Sequence, residues 1–137
     1  MNATPVVAIV DDDAAVRHAI GGLLRTFDLA VELYADAQAL LQSSSIDGID
    51  CVITDVQMPG MDGFALCEAL RARGLRMPVI FMTAFDLRDF AQRARAAGAA
   101  CFLSKPFDDT EVIRCIGRAL AMHRRSSRPG PGQASAG

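Results

Sequence analysis

Val6-Val7-Ala8-Ile9-Val10-Asp11-Asp12-Asp13 and Cys51-Val52-Ile53-Thr54-Asp55 share one form: a short apolar run, rich in β-branched residues, that ends abruptly in carboxylates. Runs of this length and composition suit strands covered on both faces, as in a parallel sheet. Parallel strands end together, so the acids of the two segments would meet at one carboxyl edge, where open α/β sheets hold their sites. Two carboxylates about 4 Å apart repel by roughly 4 kcal/mol at an effective dielectric of about 20, so the cluster calls for a compensating cation.

Working outward, further strand-like runs fall near 30–34, 78–82 and 100–103, and helical patterns fill the gaps between all five. Val16, Ile20, Leu23, Leu24 and Phe27 recur at helical spacing, as do Leu66 and Leu70, then Leu87, Phe90, Ala91, Ala94 and Ala97, then Val112, Ile113, Ile116 and Leu120. The alternation is βαβαβαβαβα. It predicts an α/β fold: a flavodoxin-like doubly wound (βα)5 three-layer sandwich around a five-stranded parallel sheet. Asp13, Asp36 and Asp108 stand where helix N-caps are needed, and Gly74 and Gly98 where helices end. The fourth-helix stripe reads as core packing, with a dimer face as the alternative, and Arg88, Arg93 and Arg95 as its solvated face.

With 137 residues, 51% of them hydrophobic, the chain is sized for one domain. That domain is expected over residues 5–122, with 123–137 as a disordered tail or linker, since nothing from Arg124 onward offers an apolar face to bury. A net charge of −2 supplies no basic footprint, so direct nucleic-acid binding is not expected. The opening Met1-Asn2-Ala3-Thr4-Pro5 lacks the regions of a signal peptide and no stretch is long and apolar enough to span a bilayer, so the expectation is a cytoplasmic protein without membrane contact. Cys51, Cys67, Cys101 and Cys115 match no zinc spacing and read as reduced core residues. Of fourteen Lys and Arg residues, Lys105 is the one lysine, a compact ammonium where the chain otherwise uses arginine.

Strand ends now supply Asp11 and Asp12, Asp55, Thr83 and Lys105 on one edge. Carboxylates with carbonyl and water are the set Mg²⁺ prefers, and it commonly shares its coordination with a phosphate. A hydroxyl and an ammonium beside it would hold the oxygens of a transferring phosphoryl group, with Asp55 as nucleophile.

The wording of these segments resembles the receiver domains of two-component response regulators. The resemblance rests on Val10-Asp11-Asp12-Asp13, on 54–63 (Thr-Asp-Val-Gln-Met-Pro-Gly-Met-Asp-Gly), on Phe81-Met82-Thr83-Ala84 and on Phe102-Leu103-Ser104-Lys105-Pro106-Phe107. It implies that Asp55 accepts a phosphoryl group from a histidine kinase or histidine phosphotransfer protein. It further implies that Asp11, Asp12, Asp55 and the main-chain carbonyl of Gln57 hold Mg²⁺, and that Lys105 pairs with the aspartate. Thr83 and Phe102 would be the switch residues, Phe102 lacking the hydroxyl of the family's common tyrosine. A cis peptide is implied at Lys105-Pro106. The expected role is a signalling switch rather than an enzyme with its own substrate, acting on an unknown downstream protein, with a phosphorylation-dependent homodimer as a further expectation. The wording is similar to the branch whose longer members carry a helix-turn-helix output domain. A stand-alone receiver is the expectation, with a fragment of a longer regulator as the alternative.

Two other readings compete. A phosphatase with an aspartyl-phosphate intermediate would use Asp11 and Asp13, whose spacing fits, but Ala14 and Ala15 follow where a threonine is usual. A degenerate receiver serving as scaffold would not need the intact acids, Thr83 and Lys105.

Overall fold

The computed structural model describes residues 4–84 and 87–127, without the side chains of 87–90 and 124–127. Five strands alternate with helices: β1 Val6–Val10, α1 Ala14–Thr26, β2 Ala30–Tyr34, α2 Ala37–Leu41, β3 Cys51–Asp55, α3 Gly63–Ala72, β4 Val79–Thr83, α4 Leu87–Ala96, β5 Cys101–Ser104 and α5 Asp109–Ser127. All pairings are parallel, in the order β2-β1-β3-β4-β5. The expected doubly wound sheet is therefore present, with β3 at its centre between β1 and β4.

Side chains alternate across each strand and divide the core into two layers. Ala8, Val10, Val52, Val79 and Phe81 face one way, onto Leu40, Leu66, Leu70 and Ala94 of α2, α3 and α4. Val7, Ile9, Ile53, Ile80, Met82 and Leu103 face the other, onto Ile20 and Leu24 of α1 and Val112, Ile116 and Ala119 of α5. Every residue of β3 and β4 is buried, as expected of central strands covered on both sides.

The caps fall where the acids predict. Asp13 accepts from Ala15 N–H and Asp36 from Ala39 N–H. Asp108 and Glu111 form a reciprocal capping box, each carboxylate accepting the other's main-chain N–H. Asp62, which the sequence reading passed over, caps α3 by accepting from Ala65 N–H.

Three features depart from the sequence reading. The helix after β2 has only five residues, and a 3₁₀ turn, Ile46–Gly48, follows it. The Ser43-Ser44-Ser45 run accounts for the stop: Ser45 N–H and its hydroxyl both bond the Ser43 hydroxyl, an alternative to the helical ladder. At the other end of the chain, α5 continues to Ser127, past the expected boundary, because no glycine or proline interrupts the run Ala119-Leu120-Ala121-Met122-His123-Arg124-Arg125. Finally, Cys101 and Cys115 are joined in a disulfide, while Cys51 and Cys67 are free and buried as expected. Among the described residues no helix is long and apolar enough to cross a membrane. Leu87, Arg88 and Phe90, read above as core and solvated face, lie outside the described side chains.

Candidate functional site

Strand register assembles the site. Val10 is level with Thr54 across β1 and β3, Asp55 with Met82 across β3 and β4, and Thr83 with Ser104 across β4 and β5. The residues that follow these pairs leave the sheet together. Main-chain bonds carry the ladder one step further, with Val56 N–H donating to Met82 carbonyl and Lys105 N–H to Thr83 carbonyl, so the strand ends remain fixed.

At this edge Asp11, Asp12 and Asp55 each bring a carboxylate oxygen within 4.8 Å of the others. Asp11 is fully buried, Asp55 is 8% exposed and Asp12 faces solvent. Lys105 reaches in from the end of β5, and its Nζ donates to Asp11 Oδ2 and Asp55 Oδ2, both at 3.1 Å. The lysine is thus shared between two carboxylates, where the sequence reading paired it with one. Burial raises the Asp11 carboxyl, and Asp55's charge adds to that; the Asp13 N–H bond and Lys105 pull it back only in part. For Lys105, burial disfavours the charge, but the two hydrogen bonds and the two carboxylate charges outweigh it and hold its pKa above the ordinary lysine value.

Main-chain groups orient the acids. Asp11 Oδ1 accepts from Asp13 N–H at 2.9 Å and Asp55 Oδ1 from Gln57 N–H at 3.1 Å, so each carboxylate keeps one oxygen bound by backbone and turns the other to Lys105. Gln57 itself is exposed. The carbonyl of Asp11 accepts from Arg17 Nη1 at 2.6 Å, a clamp from α1 onto the acidic loop that the sequence reading missed. Thr83 ends β4 and is 2% exposed; Phe102, in β5, is half-buried against the α2–α4 layer and level with Phe81. Phe81 stacks at a tilt on Phe64, whose ring lies under the Arg93 guanidinium, 4.2 Å from its centroid. Arg93 is therefore more than a solvated charge: it covers an aromatic ring of the neighbouring helix. The peptide Lys105-Pro106 is cis.

Three carboxylates against one ammonium leave a net charge of about −2, with Asp12 open to water on one side. A hard divalent cation that keeps several waters fits this donor set, and Mg²⁺ is such an ion. Asp11, Asp12 and Asp55 would hold it.

Comparison with known proteins agrees with this geometry. The family model for the response regulator receiver domain matches residues 7–116. The transcriptional regulatory protein FixJ of Azorhizobium caulinodans is 39% identical over 122 residues, which cover 89% of this chain and 58% of that protein. The DNA-binding transcriptional regulator NtrC of Escherichia coli is 32% identical, over 90% of this chain and 26% of its own length. Among solved structures, a response regulator receiver protein from Burkholderia phymatum is 41% identical, with a TM-score of 0.76 over 86% of this chain and 96% of the other. The chemotaxis protein CheY4 of Vibrio cholerae is 30% identical, with a TM-score of 0.78 over 86% of this chain and all of that one. The chain belongs to the response regulator receiver domain family of two-component signalling. It spans little more than half the length of the FixJ relative.

Proposed function

We propose that Asp55 accepts a phosphoryl group from the phosphohistidine of a histidine kinase or histidine phosphotransfer protein, in a Mg²⁺-dependent reaction, and that the chain thereby changes the protein surface it presents. The observation that carries this reading is the convergence of Asp11, Asp12, Asp55 and Lys105 on one sheet edge, with Asp55 fixed through one oxygen by Gln57 N–H.

The Asp55 oxygen that faces Lys105 attacks phosphorus; the P–O bond forms as the P–N bond to imidazole breaks, and the imidazole leaves with a proton from solvent. A bound Mg²⁺ would supply positive charge to the phosphoryl oxygens. Asp11, Asp12 and Asp55 would hold the metal, with the carbonyl of Gln57 as a further ligand. Lys105 exchanges its contact with the Asp55 carboxylate for one with the phosphoryl oxygens, and Thr83 donates its hydroxyl to another. In the same pocket a water can later hydrolyse the acyl phosphate, so the protein participates in its own resetting.

The switch follows from that exchange. A phosphoryl group adds charge and strong acceptors at the ends of β3, β4 and β5. Thr83 is drawn toward it, and Phe102 shifts from its half-buried position into the space vacated. The face built from α4, β5 and α5 then prefers a different partner, a downstream protein or a second copy of the chain. The shift is limited to the differential interaction of the phosphoryl with the two states, so a fraction of unmodified protein is already active. The reading includes no direct nucleic-acid contact, and the cytoplasm is its setting.

The test is incubation with a small-molecule phosphodonor, with and without Mg²⁺, and location of the label by mass spectrometry. A Mg²⁺-dependent label on Asp55, absent in Asp55→Asn, is the expected result. A label on Asp11 would instead identify the phosphatase chemistry.

A further inference from the structure

Cys101 opens β5, Cys115 lies in α5, and their disulfide spans Cα atoms 5.8 Å apart, within the range that a bridge needs. Cys101 differs from the other three cysteines in its exposure: it is half-buried, while Cys51, Cys67 and Cys115 are buried. A depression of about 370 Å³ lies beside Cys101, lined by Arg95, Ala99, Ala100, Phe102 and Arg118 as well. Cys101 is half-buried at this opening, and Cys115 is 6% exposed. Arg95 from α4 and Arg118 from α5 line the opening beside Cys101, the member of the pair that reagents in solvent can reach; the thiolate is the form of cysteine that reacts.

We propose that Cys101 and Cys115 form a reversible redox site, oxidised by hydrogen peroxide and reduced by a dithiol, whose state decides whether β5 and α5 are covalently tied. Cys101 is the attacking residue and Cys115 the resolving one. The Cys101 thiolate attacks one peroxide oxygen; the O–O bond breaks, the other oxygen leaves as hydroxide and takes up a proton, and Cys101 becomes a sulfenic acid. Cys115 sulfur then attacks Cys101 sulfur; the S–S bond forms, the S–O bond breaks, and the proton of Cys115 leaves with the hydroxyl as water. In sum two thiols are oxidised and one peroxide is reduced to two waters. A dithiol reverses the bond by two thiol–disulfide exchanges, leaving both cysteines as thiols and itself as a disulfide.

The location gives the bond a consequence. Cys101 is adjacent to Phe102, and Lys105 directly follows β5, so the bridge fixes α5 against the strand that carries Phe102 and leads into Lys105. In a reducing compartment such bonds are transient and responsive rather than permanent staples. The redox chemistry stands apart from phosphoryl transfer, and its test uses no phosphodonor.

The full chain is reduced with dithiothreitol without denaturant, exposed to graded peroxide, blocked with a maleimide and mapped by mass spectrometry. Cys101 and Cys115 are expected to take label when reduced and to lose it together after peroxide. Amide hydrogen exchange in α5 is expected to be slower in the oxidised form by about threefold or more. In Cys115→Ala, dimedone should trap a sulfenic acid on Cys101, whereas Cys101→Ala should give no adduct at Cys115. Equal labelling before and after peroxide, a bond that resists dithiothreitol until the protein unfolds, or exchange in α5 that ignores the redox state would each overturn the proposal. Should Cys115→Ala fail to fold, the labelling and exchange of the unmutated chain decide it.

Discussion

Gly63, the first residue of α3, lies so close to the main chain of Asp55 that a Cβ built on it would stand 2.6 Å from the Asp55 carbonyl oxygen. That Cβ would also meet Val56 Cα at 3.0 Å, so the obstacle is backbone and not a side chain that could turn aside. The start of α3 is thereby seated directly behind the candidate nucleophile. Gly63→Ala should cost about 1–3 kcal/mol in urea unfolding and slow the labelling of Asp55 by a phosphodonor. Gly22→Ala in α1, where nothing lies within 4 Å of the added carbon, should instead stabilise by about 0.5–1 kcal/mol and leave labelling unchanged.

Lys105→Met leaves Asp11 and Asp55 facing one another without their shared ammonium. Unfolding without Mg²⁺ at neutral pH should show a loss of about 1–3 kcal/mol, with part of it recovered on adding Mg²⁺. The pH dependence has a defined sign. Burial pulls Lys105 down, the Asp11 and Asp55 contacts raise it by more, and the folded value lies above the ordinary 10.5. Its contribution is complete below the unfolded value and is lost as pH rises through the folded one, so the gap between variant and parent should close only in strong alkali.

Asp11→Asn should behave in the opposite way. Burial holds the Asp11 carboxyl above its ordinary 3.8, so the folded chain binds that proton more tightly than the unfolded chain, and ionising it costs stability. The variant should match the parent at the acid end and become the more stable of the two as pH rises from 3.8 through the folded value, in Mg²⁺-free buffer. Thermal unfolding against pH checks this. Addition of Mg²⁺ should then raise the midpoint of the parent and have little effect on that of the variant.

Arg17→Ala removes the guanidinium that holds the Asp11 carbonyl at 2.6 Å. A loss of about 1 kcal/mol in stability is expected, with weaker Mg²⁺ binding by calorimetry, since the carbonyl belongs to the loop that carries both acids. Arg17→Lys should restore stability only in part, because a single ammonium lacks the planar fork.

Thr83→Ala should still be labelled on Asp55 but fail to transmit the change. Thr83→Ser, which keeps the hydroxyl, should do both. Sedimentation of labelled and unlabelled samples distinguishes the two variants if the recipient surface is a second copy of the chain; where the parent shows a phosphorylation-dependent difference, its loss in Thr83→Ser would count against the assigned role.

Much of this site was legible in the sequence because it is built from strand ends. Val6 to Val10 and Cys51 to Thr54 could hardly be anything but buried strands, and once they are parallel Asp11 and Asp55 must be neighbours. What was not legible depends on side-chain reach or on partners distant in sequence. Lys105 lies 94 residues from Asp11, and nothing local says that its ammonium is shared between two acids rather than given to one. Arg93 reads as a solvated charge until α4 is set against α3, and nothing in the sequence singles out Arg17 until α1 is set against the Asp11 loop. Gly63 was visible only as the last residue of the 54–63 segment, since the close approach that requires it involves the backbone of another element. The pairing of Cys101 with Cys115 likewise needs the packing of α5 on β5, which spacing alone does not supply.

The preference for arginine now has a structural meaning. Arg17, Arg71 and Arg73 each spend a guanidinium on main-chain carbonyls, of Asp11, of Leu75 and Met77, and of Leu41, tying loops that a single ammonium would hold less firmly. With those tasks given to arginine, the sequence offers amine-reactive reagents one side chain, and it stands at the centre of the site. Apart from the terminal α-amino group, acylation therefore has a single address: modification at Lys105, located by peptide mass, reports whether the two carboxylates still hold it.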